Sequence, residues 1–185
     1  MSNLVSFGIL NEKVNKIFVD QDCESKGNAF MRFALSSILK LNDEEIEESI
    51  TDGPDDGEVD AIYIDKRDVH ILTFKYTDEF EFTKKNFPGT DIDQFSSTIE
   101  HIISADLDKK TINPAVWEKY QEIRTLSKDG RVNFKIYVIS NKLHPVDSSK
   151  RKIGRIVQKY KLIENPFHFN QEDIVSTILE HKVKK

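Results

Sequence analysis

Two short runs of β-forming residues, AIYI and VHILTFKY, are separated by only four polar residues, Asp65-Lys66-Arg67-Asp68. A connection that short leaves no room for a crossover, so residues 61–64 and 69–76 should pair as an antiparallel hairpin. Side chains alternate across a strand. Val69, Ile71, Thr73 and Lys75 therefore share one face, and His70, Leu72, Phe74 and Tyr76 the other. Asp60 enters the first strand, and counting back from the turn sets it opposite Thr73 or Lys75. A carboxylate and an ammonium are expected to meet at the mouth of the hairpin.

The segment leading into Asp60 is strongly acidic: residues 52–60, DGPDDGEVD, carry five carboxylates and two glycines. A carboxylate at the end of one strand with a lysine on the next suits metal-dependent phosphodiester hydrolysis. The carboxylate holds a hard divalent cation, Mg²⁺ or Mn²⁺, which polarises a phosphate and lowers the pKa of a bound water. The lysine orients or helps deprotonate that water, or neutralises charge in the transition state. The plainer alternative is a solvated acidic turn at Asp52, Asp55, Asp56 and Glu58, with Asp60 and Lys75 forming a surface ion pair worth under about 1 kcal/mol.

Helical patterns surround the hairpin. Val14, Ile17 and Phe18 suggest a short helix in the first 25 residues. Asn28 reads as the N-cap of a helix over residues 29–40, with Phe30, Phe33, Ala34, Ile38 and Leu41 on its inner face. Asn42 reads as the cap of an acidic helix over 43–49. Residues 77–89 suit another short strand or a loop with aromatic anchors. Ile92, Phe95, Ile99, Ile102 and Ile103 mark a further helix, and Asn113-Pro114 opens the next. Residues 132–140 read as a buried strand. Ser148 or Ser149 caps a basic helix, residues 167–169 suit an edge strand, and Asn170 caps a last helix. One mixed sheet with helices on both sides accommodates this order.

Composition removes several function classes. The 185 residues, 38% hydrophobic and 32% charged, suit a single domain over residues 1–185 rather than a disordered or fibrous chain. No apolar run has the length of a membrane span, and the N-terminus lacks the pattern of a signal peptide. The single cysteine, Cys23, excludes an internal disulfide, and a cytoplasmic location is expected. A net charge of −5 argues against coating nucleic acid by bulk charge, but it leaves room for one local basic face.

The stretch from Asp52 to Tyr76 resembles the core of the PD-(D/E)XK nuclease superfamily, in which an Asp opens one strand and a (Glu/Asp/Gln)-x-Lys triplet lies on the next. DGPDDGEVDAIYID followed by a strand ending in KY is similar to the N-terminal domain of abortive infection phage resistance (AIPR) proteins and to Mrr-like restriction nucleases. The resemblance implies a restriction-endonuclease-like α/β fold, with a central mixed β-sheet flanked by helices on both sides. It also implies a hydrolase of prokaryotic phage defence, active on DNA or RNA, with DNA the favoured substrate. Members of the AIPR type are longer, so the chain can be the N-terminal domain of a longer protein or a stand-alone remnant. Asp60 falls on the family's metal-binding Asp and Lys75 on its catalytic lysine.

The departures are specific. Thr73 replaces the carboxylate or Gln two residues before the lysine, and Met31 stands where related nucleases carry a Glu on the preceding helix. Glu58, where a glycine is common, and Asp56 are the candidate replacement carboxylates, with Thr73 an accessory to the attacking water. A fold that has lost its second metal carboxylate and binds nucleic acid or a protein partner is the alternative. Lys150, Arg151, Lys152 and Arg155 form the candidate nucleic-acid-binding face on the basic helix; their alternative is a surface helix whose lysines lie over apolar neighbours. Nucleic acid is the expected partner, no membrane is, and a homodimer stays open.

Overall fold

The computed structural model describes residues 2–183, so the domain expected over 1–185 extends past it at both ends. The hairpin forms as expected: β1 (Ala61–Asp65) and β2 (Asp68–Lys75) pair antiparallel, with Ala61 opposite Leu72. Asp65 and Asp68 belong to the pair itself. The turn is only Lys66-Arg67, and Lys66 takes a left-handed φ of 56°, as a two-residue hairpin loop demands.

Three helices precede the hairpin: α1 (Leu4–Asp20), α2 (Lys26–Ile38) and α3 (Asp43–Ser49). The crossover after it holds α4 (Phe80–Thr83), α5 (Gly89–Ser104), a 3₁₀ turn (Lys109–Thr111) and α6 (Pro114–Lys128). Then come β3 (Asn133–Ser140), α7 (Asp147–Lys159), β4 (Phe167–Phe169) and α8 (Gln171–Val183). The sheet runs β1-β2-β3-β4. β3 lies parallel to β2, with Lys75 opposite Ser140, and β4 lies parallel to β3.

Alternation on the central strands gives the sheet two apolar faces, and each needs a helical layer. Leu72, Phe74 and Ile139 face Leu10 and Val14 of α1, Phe30 and Ala34 of α2, and Ile174 of α8. Ile62, Ile71, Ile136 and Val138 face the other way, onto Phe95 and Ile99 of α5, Tyr120 of α6 and Ile153 of α7. The result is an α/β arrangement, a four-stranded mixed sheet with helices on both faces. Among the described residues no helix is long and apolar enough to cross a membrane.

Some boundaries differ from expectation. α2 begins earlier because Ser25, not Asn28, is its N-cap: the Ser25 hydroxyl accepts the Asn28 N–H at 3.0 Å. The Asn28 side chain accepts instead from Arg32 Nε at 2.8 Å. α7 starts after Val146 with no side-chain cap, and Ser149 is buried within its first turn. Residues 77–89 contain the single helical turn α4 rather than a strand. Asn42 does cap α3, in a reciprocal box with Glu45, and Asn113 caps α6 ahead of Pro114. Asn170 and Asp173 exchange the same pair of bonds at the start of α8.

Candidate metal centre

The acidic segment is a loop fastened at its neck. The Asp60 carbonyl accepts the N–H groups of Thr51 and Asp52 at 2.9 and 3.0 Å, and the Thr51 hydroxyl donates to the Val59 carbonyl at 2.6 Å. Within the loop the Asp56 carboxylate accepts the Glu58 N–H at 2.8 Å and the Gly53 N–H at 3.2 Å. These bonds hold Asp55, Gly57 and Glu58 at φ values of 58°, 65° and 61°. Left-handed backbone at two non-glycine residues is a local cost that the surrounding bonds must offset. At position 57 a side chain would force its neighbours to shift, because a Cβ would sit 2.4 Å from Thr98 Oγ1. The Thr98 hydroxyl donates to the Gly57 carbonyl at 2.8 Å and ties the loop to α5.

This folding gathers three carboxylates. One oxygen from each of Asp52, Asp56 and Asp60 lies within 4.8 Å of the others. Asp60 is only 9% exposed. Its Oδ2 accepts the Phe74 N–H at 2.5 Å and the Thr73 hydroxyl at 3.3 Å. Burial pushes its pKa well above the usual carboxylate range; Asp56, Asp52 and Glu58 push the same way, against the Phe74 N–H. Asp52 is raised too, by burial first and then by Asp56. Crowded hard-oxygen donors whose charged forms repel one another suit a divalent cation, which removes the repulsion. The cluster could hold a metal ion.

The membership differs from the expected set of Asp60, Glu58 and Asp56. Glu58 is not in the group, and Asp52 takes its place. Glu58 belongs to a neighbouring set of charges: burial and Asp91 raise its pKa, while Lys75 lowers it. Only the four-residue spacing of 52, 56 and 60 hinted at Asp52, and outside a helix such spacing defines no common face.

Lys75 also finds a different partner. Its Nζ lies 2.6 Å from Asp91 Oδ2, on the first turn of α5. The register explains why Asp60 is not that partner: with Ala61 opposite Leu72, Asp60 falls beside Thr73, short of Lys75. Burial alone would lower the Lys75 pKa, but the Asp91 hydrogen bond and the charges of Asp91, Glu58 and Asp60 leave it raised. Lys75 is thus a firmly held ammonium. Thr73 is fully buried, and its hydroxyl orients Asp60.

A cleft of about 200 Å³ opens over these groups, lined by Asp52, Asp60 and Lys75 on one side and by Ser25, Asn28 and Met31 at the start of α2 on the other. Met31 presents a thioether there, so α2 adds no carboxylate to the cleft. Lys150, Arg151, Lys152 and Arg155 do not line it. The fold divides that basic run. Lys150 lies close enough to His144 and His168 to lower the pKa of both, after burial. Arg151 is exposed, while Lys152 and Arg155 lie along α5.

No protein-family model matches the chain, and no curated protein or solved structure matches it. What the site can do rests on its own residues.

Proposed function

We propose that this chain is a nuclease-like domain of restriction-endonuclease type that hydrolyses nucleic-acid phosphodiesters with Mg²⁺ or Mn²⁺, DNA before RNA, with its ancestry in prokaryotic phage defence. The observation that carries the reading is the convergence of Asp52, Asp56 and Asp60 at the open end of a hairpin whose second strand brings Lys75 into the cleft that Asp52 and Asp60 line. The mixed sheet, with a hairpin followed by a parallel neighbour, supports it. A divalent cation held there would polarise a phosphate and supply a nucleophilic water near neutral pH.

The chain's own residues do the rest. Both hydrogen bonds to the Asp60 side chain go to Oδ2, so Oδ1 is the freer oxygen to hold a cation. Lys75 stays protonated and stabilises negative charge developing on the phosphate; Asp91 fixes its position. Purified protein should cut single-stranded DNA, duplex DNA or RNA when Mn²⁺ is added. Asp60→Ala should abolish both cleavage and Mn²⁺ binding measured by calorimetry. If Mn²⁺-loaded protein leaves all three substrates intact, the nuclease reading fails.

A second reading has its own support. The 2.6 Å pairing of Lys75 with Asp91 and the hydroxyl at Thr73, where a further carboxylate would complete the metal shell, favour a nuclease fold that binds without cutting. Retained Mn²⁺ binding and DNA binding with no cleavage would select it.

A further inference from the structure

The basic side of α7 lies away from the aspartates, against α5, and the two helices enclose an open groove of about 310 Å³. Lys152, Arg155 and Lys159 line one wall at helical spacings of three and four, so they share a face. The two lysines are paired across the groove, Lys152 with Asp93 and Lys159 with Glu100. Arg155, between them, has no ion-pair or hydrogen-bond partner among the described residues.

The opposite wall carries an independent anomaly. Ser96 of α5 is 8% exposed and lines the groove, yet its Oγ has no hydrogen-bond partner. Helical hydroxyls normally donate to the carbonyl one turn back, as Thr125 does to Gln121 and Ser127 to Ile123. A buried hydroxyl without a partner is costly, and a ligand oxygen in the groove would relieve it once the Ser96 side chain turns outward. A lone guanidinium and an unsatisfied hydroxyl lining one groove, with two ammonium groups beside them, offer donors to a phosphate once the lysines leave Asp93 and Glu100. The pairs to Asp93 and Glu100 are exposed, and surface pairs of this kind hold a lysine only weakly, so both can turn to an incoming anion.

Placement links the groove to the cleft. Asp91, which holds Lys75, and Ser96 lie on the same helix. Five residues at about 1.5 Å each put them about 7.5 Å apart along the axis and on different sides of α5, so a strand that reaches both must cross that helix. We propose that the α5–α7 groove grips the phosphodiester backbone of the nucleic-acid strand presented to the aspartates, through Arg155, Lys152, Lys159 and the Ser96 hydroxyl. The proposal rests on the nuclease-fold reading above. It adds Lys159 and Ser96 to the expected basic face and removes Lys150 and Arg151 from it.

The test uses the full chain in EDTA, where cleavage cannot interfere, with a fluorescein-labelled single-stranded DNA followed by anisotropy across a salt series. Arg155→Ala should weaken binding about tenfold and reduce the salt slope by about one. Arg155→Lys should keep the slope but lose affinity, Ser96→Ala should weaken binding without changing the slope, and Arg151→Ala should match the unaltered protein. DNA that does not bind, or equal affinities for Arg155→Ala and Arg151→Ala, would overturn the groove. Adding Mn²⁺ separates the two claims. Cleavage with Arg155-independent binding removes the groove and keeps the nuclease; Arg155-dependent binding without cleavage does the reverse.

Discussion

Burial at Asp60 favours its protonated form, and the charges of Asp56 and Asp52 act in the same direction. Its folded-state pKa therefore lies above the unfolded one. The stabilisation from the neutral carboxyl is complete below the unfolded pKa and is lost as pH rises through the folded one. At neutral pH without metal, Asp60 destabilises the fold. Asp60→Asn keeps an acceptor for the Phe74 N–H, so its melting temperature in EDTA at pH 7 should rise by a few degrees. The same variant should lose the Mn²⁺-induced rise that the unaltered protein shows. A lower melting temperature in EDTA would contradict this account of the site. Asp91→Asn tests the other half of the cleft. With that carboxylate gone, burial acts on Lys75 with less opposition and its pKa should fall, as read by NMR of the ¹³C-methylated lysine. An unchanged value would mean that the pair does not form in solution. The hairpin alone narrowed the neighbour of Asp60 to Thr73 or Lys75, and the two-residue turn decides for Thr73. The partner of Lys75 was not legible, because Asp91 arrives on a helix that packs against the strand only in three dimensions.

The acidic loop behaves as an element in its own right, tied at the neck by Thr51 and Asp60 and along its side by Thr98. Gly57→Ala forces a methyl group against Thr98 Oγ1 at a left-handed residue. It should cost about 1–3 kcal/mol in urea unfolding and weaken Mn²⁺ binding as Asp56 shifts. Unaltered Mn²⁺ affinity would show that the loop's shape does not set the site. Helix starts were readable where the side chain of an asparagine makes the cap at Asn42, Asn113 and Asn170, but not at Asn3, which caps α1. They were misplaced where the backbone alone opens the helix, as at Val146, or where two capping residues compete, as Ser25 and Asn28 do. The loop's shape was not readable at all, since three left-handed residues in four leave no periodic pattern.

Across the whole molecule, the alternation on β2 and β3 was enough to require a helical layer on each face. It did not reveal that Asp68 pairs with Asn133 rather than with a nearer segment. A weak point of the assembled structure lies at β4, where burial, then Lys150 and His144, depress the His168 pKa to about 4. The neutral ring contributes stability above its unfolded pKa of about 6.5, and that contribution is lost as pH falls through about 4. His168→Phe should flatten the fall in melting temperature between pH 6.5 and 4; an identical profile would place the acid sensitivity elsewhere. The distant pairing of β2 with β3 also bears on the order in which the chain folds. Closing so long a loop is slow, whereas a two-residue hairpin closes within microseconds. Asp52, Asp56, Asp60 and Lys75 all lie in or beside that hairpin, so they are brought near one another early in folding. The α5–α7 groove must wait for the crossover to dock. The residues for the chemistry are therefore gathered before the surface that would hold the strand exists.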